Sequence, residues 1–437
     1  MKVLLHSHFP AGHAYPMQAI AQVLVDHSHD VVWLTSADNE ARVRATGARF
    51  VETRAIATVD APFIKENSTG LLDRNFHRLE SRVVAQVADY RAILDEFAAD
   101  VLLVDVFPHG ARALYELGEI PAYATLGVIP FYTSEAAAPF PVSGNCPPTS
   151  WLGLIQNGLR QLINQWILLP LFLAPVLNRQ REVLGLKKLP FGEPQECFTY
   201  SPFLHIQASS STLEFSPSPR LQQPKERVVY VGSLVRPSPT TSVPFPSWWE
   251  DVISHPFVVG ITQGTLAMDP TSLIMPAIQA LKDNPSLLLV VVSPHSADIE
   301  TRVGKIANIR YADWLPYFVL LPQLCLLVTN GGYGSITQAL SHGVPLLCAG
   351  QTEDKKDTAA RVRWCGVGID LKTDNPTPEQ VKTAAKKILS DEGYSRRAKL
   401  LGRELNGLGG AETASHLLEE LAISMKKIST ASRNETR

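Results

Sequence analysis

What most constrains this chain is a repeated alternation of short apolar strands with amphipathic helices. Lys2 to Leu5 reads as a strand. After Gly12, the residues Met17, Ile20, Ala21 and Leu24 recur at the spacing of one helical face. Val31 to Thr35 and Val101 to Val104 read as further strands, followed by a helical stretch through Leu117 and a strand at Tyr123 to Leu126. Phe257 to Thr262 and Leu287 to Val292 repeat the pattern around a helix over Ser272 to Leu281. Leu326 to Thr329, Pro345 to Cys348 and Gly368 to Asp370 follow as strands, and Pro378 to Leu389 as a helix. Strands that are apolar throughout and separated by helices form parallel sheets covered on both faces. The expected class is therefore α/β, with doubly wound parallel sheets.

The chain has 437 residues, and a single core stops growing near about 250–300 residues. Two domains are expected. The segments Ser216 to Glu226 and Pro237 to Pro246 are rich in Pro, Ser and Thr and flank one short strand, Val228 to Leu234. Such segments behave as stiff connectors. They place a first domain at 1–222 and a second at 223–437. The polar end of the chain should fray.

The formal net charge is −2, which gives no broad field for capturing nucleic acid. Five cysteines, Cys146, Cys197, Cys325, Cys348 and Cys365, fit no zinc spacing. A reduced, cytoplasmic chain is expected. The start does not read as a signal peptide, since Lys2 is followed by only three apolar residues before His6. The most lipophilic run, Trp166 to Val176, is broken by Pro170 and Pro175. It is too short to span a bilayer. No transmembrane segment is expected, and the run reads as a buried or substrate-lining element rather than a membrane-surface contact.

The segment from Trp314 to Arg361 carries the clearest chemistry. A strand runs into Asn330-Gly331-Gly332-Tyr333-Gly334-Ser335 and then a helix. Glycines let backbone approach a ligand, and a helix N-terminus offers free amides and a positive dipole end. Ser335 can cap the helix or donate a bond. A plain glycine turn before a helix looks similar. The next strand leads to Glu353-Asp354 at the edge where open α/β sheets bind ligands. Those carboxylates can accept bonds from sugar hydroxyls, or simply favour the start of a helix. In the first half, His13 follows the first strand and Asp105 the third. A neutral imidazole, with a pKa of about 6.5, can take a proton at pH 7. A carboxylate on its other nitrogen would fix the tautomer. Their plainer readings are a helix-start histidine and a helix cap.

These residues resemble the donor signature of the family 1, UDP-glycosyltransferase-like enzymes of the GT-B fold. The family pattern runs Trp-x-Pro-Gln, His-x-Gly-x-x-Ser-x-x-Glu, Gly-Val-Pro, and Asp/Glu-Gln. Here it reads Trp314-Leu315-Pro316-Tyr317, Asn330 to Gln338, Gly343-Val344-Pro345, and Glu353-Asp354. The run is most similar to fungal and bacterial members with Thr-Asn-Gly-Gly-Tyr-Gly and Thr-Glu-Asp-Lys motifs. The resemblance implies two Rossmann-like domains facing across a cleft, with a final helix at about 411–427 returning to the first domain. It implies that Trp314 stacks on the nucleobase, with Leu315 beside it in the motif. Asn330, Gly331, Gly332, Gly334 and Ser335 would hold the diphosphate, joined by Gly264 and Thr265. Glu353 and Asp354 would hold the hexose. His13, in Gly12-His13-Ala14-Tyr15-Pro16, matches the family's catalytic base. Asp105, in Val104-Asp105-Val106-Phe107, matches its partner acid, with His109 close by as a competitor for it.

The family's His is Asn330 here and its ribose-gripping Glu is Gln338. The neutral Gln338 weakens the case for UDP over dTDP. What the resemblance implies is inverting transfer of a hexosyl group, glucose from UDP, to a small lipophilic alcohol or phenol. No cofactor and no obligatory metal are expected, since no Asp-x-Asp clamp occurs and helix-end amides can neutralise the leaving charge. Two other readings stay open: an epimerase of the same fold, and a non-catalytic nucleotide-sugar-binding subunit.

Overall fold

The computed structural model describes residues 1–65, 79–215, 228–234, 245–264 and 269–435. Two parallel sheets form its framework. The first holds β1 (Lys2–His6), β2 (Asp30–Thr35), β3 (Arg49–Glu52), β4 (Val101–Val104), β5 (Tyr123–Gly127), β6 (His205–Gln207) and β7 (Val228–Tyr230). Their order is β3-β2-β1-β4-β5-β6-β7. The second holds β8 (Val258–Thr262), β9 (Leu288–Val292), β10 (Ile309–Ala312), β11 (Leu324–Thr329), β12 (Leu346–Cys348) and β13 (Gly368–Asp370), in the order β10-β9-β8-β11-β12-β13. Both are doubly wound, as expected. The strands that escaped the sequence reading, β3, β6 and β10, carry polar residues such as Arg49, His205 and Arg310.

Alternation along each strand builds the two cores of each domain. In β1, Val3 and Leu5 enter one cluster with Met17, Ile20 and Leu24 of the first helix, Ala11–Asp26. Leu4, between them, points to the opposite cluster with Val83, Tyr90 and Leu114. In β8, Val258 faces one layer and Val259 and Ile261 the other.

The first sheet takes its last strand from Val228–Tyr230, which pairs with β6. The expected boundary at 222 falls short of this strand. The chain crosses between domains again at the end: Ala414, Leu418 and Leu421 of the Gly410–Glu435 helix pack into the first domain's core.

A buried polar network latches the domains together. Glu214 and Arg361 form an ion pair at 2.8 Å with both side chains almost wholly enclosed. Tyr333 donates to Glu214 at 2.7 Å, and Arg361 donates to the Phe131 carbonyl at 2.8 Å. Asp357 accepts from the Tyr132 hydroxyl at 2.8 Å and from the amides of Val142 and Gly144. A cavity of about 100 Å³ lies in this seam, bordered by Phe131, Tyr132, Phe140, Glu214 and Arg361.

The lipophilic run departs from expectation. Trp151–Ile163, Asn164–Leu173 and Ala174–Val183 join into one continuous helix of 33 residues, long and apolar enough to cross a membrane by length and composition. The middle stretch is π-helical and contains Pro170, while Pro175 opens the last stretch. Pro170 lies within the wider π-helical stretch and Pro175 where that stretch passes into α-helix, and the rod runs through both. Nor is the run buried, because most of its large apolar side chains face outward.

Candidate active site

In a doubly wound sheet, the two strands at the reversal of order leave a crevice beyond their C-terminal ends. In the first sheet those strands are β1 and β4. His13 sits in the first turn of the helix after β1, and Asp105 directly follows β4. The structure brings them together, with His13 Nδ1 2.9 Å from Asp105 Oδ2. The Asp105 side chain is fully enclosed, whereas His13 keeps 19% of its side-chain surface open. A carboxylate has no proton to give, so Nδ1 donates. That leaves the Nε2 lone pair for a substrate proton.

Asp105 is itself held in place. The amides of His8 and Val106 donate to its two oxygens, at 2.9 and 2.5 Å. Phe107 adopts a left-handed backbone, φ 56°, a strained conformation of the kind that gathers at functional sites. The His8 ring stands edge-on to His13 with centroids 5.5 Å apart. His109 does not compete for the acid. It faces Arg112, Arg82 and Arg181, and burial followed by those charges pushes its pKa down to about 3.

The second crevice lies between β8 and β11. Gly264 follows β8 and Asn330 follows β11. The Asn330 amide donates to the Gln263 carbonyl, which ties the two strand ends together. Gly264 has φ 76°, and a side chain there would meet the Asn330 amide at 3.3 Å. Gly350 is tighter still, since its Cβ would fall 2.0 Å from the Asn330 carbonyl oxygen. Backbone thus replaces side chains around this turn. The helix Tyr333–Ser341 starts at Gly332, with no side chain bonded across its N-terminus. Ser335 lies inside the first turn and is not the cap. Gly334, Ser335 and Gln338 are partly open along this helix. Its end offers uncapped amides suited to an anion.

Trp314 leaves 47% of its surface exposed. Leu315 is buried among the second domain's core residues. Thr265 lies outside the described residues. Glu353 takes a left-handed backbone, φ 55°, and pairs with Lys355. Burial pushes the Asp354 carboxyl up, against Lys355 and the nearby charge of His13, which favour its ionised form. Asp354 of the second domain is thus within electrostatic reach of His13 in the first.

Sequence reading missed the residues that orient this pair and hold the cleft: His8, Phe107, Tyr132, Glu214, Asp357 and Arg361. The visible signal was two opposite charges, Asp357 and Arg361, one turn apart among alanines and valine. A group with metal-ligating side chains, His27, His29 and Glu419, has its donor atoms within 4.8 Å of one another. It sits at the far end of the first helix, about 20 Å from His13 at the usual rise per residue.

Residues 290–415 match the family model for the erythromycin biosynthesis protein CIII-like C-terminal domain. The chain is 32% identical over 421 residues to the 4'-demethylrebeccamycin synthase of Lentzea aerocolonigenes, covering 94% of this chain and 97% of the relative. It is 29% identical over 436 residues to UDP-glucosyltransferase B1 of Starmerella bombicola, covering 94% and 96%. The crystal structure of the glycotransferase of kitacinnamycin superposes with a TM-score of 0.71 at 20% identity, over 96% of this chain and 98% of that one. Two facing α/β domains, a histidine–aspartate pair on one side and a glycine-lined helix end on the other agree with these likenesses: the chain belongs to the family 1 nucleotide-sugar glycosyltransferases of the GT-B fold, enzymes that act on small molecules.

Proposed function

We propose that this enzyme transfers a hexosyl group, glucose in the first instance, from UDP to a hydroxyl of a small lipophilic acceptor such as a phenolic or polyketide. Transfer inverts the anomeric centre, needs no obligatory metal and takes place in the cytoplasm. The observation that carries the reading is the 2.9 Å contact between His13 and a fully enclosed Asp105.

The chemistry follows from that contact. The acceptor hydroxyl gives its proton to His13 Nε2 while its oxygen attacks the anomeric carbon. The bond from that carbon to the diphosphate oxygen breaks on the opposite face. Asp105 stabilises the imidazolium as it forms. The negative charge moves onto the nucleoside diphosphate, where the amides at the start of the Tyr333–Ser341 helix meet it. Glu353 and Asp354 accept bonds from the hexose hydroxyls, and Trp314 stacks on the base. Gln338 bonds to the ribose as a neutral amide. Likeness to the UDP-glucosyltransferase B1 of Starmerella bombicola supports UDP-glucose as the donor to try first.

The test is a turnover panel of UDP-, dTDP- and GDP-glucose with a phenolic acceptor. UDP-glucose should be consumed only when acceptor is present, with a β-linked product. Conversion of donor to an epimer without acceptor would overturn the reading, as would preference for dTDP-glucose over UDP-glucose.

A further inference from the structure

The Trp151–Ile163 helix and its π-helical continuation are built inside out. The residues that turn inward are Asn157, Gln161 and Asn164, spaced to share one helical face. Asn157 donates to the carbonyls of Ala136 and Ala138 at 2.8 and 2.5 Å, and Gln161 to that of Thr133 at 3.3 Å. Asn164 donates to Gln195 at 3.2 Å. The helix is thus fixed to its own domain by polar bonds. Its opposite side carries Trp151, Leu152, Ile155, Leu159, Leu162 and Ile163, all exposed. Trp166, Leu171 and Phe172 extend it through the π-helical part, with Leu171 63% exposed. Phe191, 72% exposed, lies 5.9 Å from Trp166 and widens the same surface. A soluble helix normally shows the reverse pattern.

Charge selects what covers this face. No Asp or Glu occurs from Ala136 to Arg181. The exposed ions from 151 to 191 are mostly cations, Arg160, Arg179, Lys187 and Lys188, against the exposed carboxylate Glu182. Tryptophans stand at Trp151 and Trp166, the residue type that anchors at lipid–water boundaries. A long apolar stripe with basic neighbours and no acids suits a helix lying in the plane of an anionic membrane surface. A spanning role does not suit it, because its polar face is engaged by the first domain along its length.

We propose that the outward face of residues 151–172, with Phe191, docks on an anionic lipid surface and holds the enzyme there by partial insertion. This goes beyond the transfer reaction and does not depend on which donor or acceptor the site prefers.

The experiment is flotation of the full chain with vesicles of phosphatidylcholine and phosphatidylserine at 70:30, and with phosphatidylcholine alone. The protein should float with the mixed vesicles, and less with the neutral ones. The variant Leu159→Glu/Trp166→Glu/Phe172→Glu should bind the mixed vesicles at least tenfold less while keeping its UDP-glucose affinity. If that variant does not fold, Arg160→Glu/Lys187→Glu/Lys188→Glu should lose the preference for phosphatidylserine. Failure of the unmodified protein to float with either vesicle would overturn the proposal. So would a concentration-dependent dimer, seen by analytical ultracentrifugation, that the triple glutamate variant abolishes, since a second copy would then be the occupant.

Discussion

The two crevices of this enzyme have the same topology and opposite chemistry. In each, the reversal of strand order opens a gap beyond two neighbouring strands. The gap after β1 and β4 is filled by ionisable side chains, His13 against an enclosed Asp105. The gap after β8 and β11 is cleared of side chains by Gly264, Gly331 and Gly350, and the Asn330 side-chain amide is spent on a backbone carbonyl. In the proposed mechanism the first moves a proton, which needs a titratable group in one fixed tautomer. In that mechanism the second receives a diphosphate, which needs backbone amides and room. One fold supplies both because it delivers strand ends, and the residues at those ends choose the chemistry.

If that division holds, damage on the first side should fall on kcat and damage on the second on donor affinity. Asp105→Asn keeps the shape but lets the amide donate to Nδ1, which selects the wrong tautomer. A loss in kcat of up to about 10⁴-fold is expected, as in other histidine–aspartate pairs, with donor affinity unchanged in a calorimetric titration. The division also requires the crevices to face each other. Arg361→Met leaves Glu214 enclosed without its partner, and should cost about 3–5 kcal/mol in chemical denaturation. Trp314→Ala should weaken UDP binding by about 1–3 kcal/mol, the usual worth of a base stacked on an aromatic ring, and leave the rate at saturating donor nearly intact. The smallest effect sharpens the donor side. Gln338→Glu replaces a neutral acceptor of ribose hydroxyl bonds with a charged one and should tighten UDP over dTDP by about 1 kcal/mol; equal affinities for the two nucleotides would remove residue 338 from the ribose.

Much of this is legible in the chain itself. β1, β4, β8 and β11 are continuous apolar runs bounded by glycine or polar residues, and each fell within a residue or two of its final place. The glycine turn and the Gly-His-x-x-Pro setting are local patterns, so His13 and Gly332 could be read from the chain alone. The latch of Glu214, Tyr333 and Arg361 could not, because its members stand up to 147 positions apart and meet only when the domains close. Neighbours in the donor motif part company in the fold: Leu315 packs into the core while Trp314 stays exposed. The 151–172 helix misled in the other direction. Hydropathy reports what a segment avoids and not where it goes, and burial of Asn157, Gln161 and Asn164 turned the apolar side outward.

In the proposed mechanism proton transfer and donor binding are divided between the domains. The direct test is His13→Ala, measured for kcat with UDP-glucose and a phenolic acceptor, and for UDP affinity by calorimetry. The predicted result is a kcat lower by about 10²–10⁴-fold, the usual contribution of a general base, with Kd for UDP unchanged. Equal losses in both, or turnover that survives without the imidazole, would contradict the account.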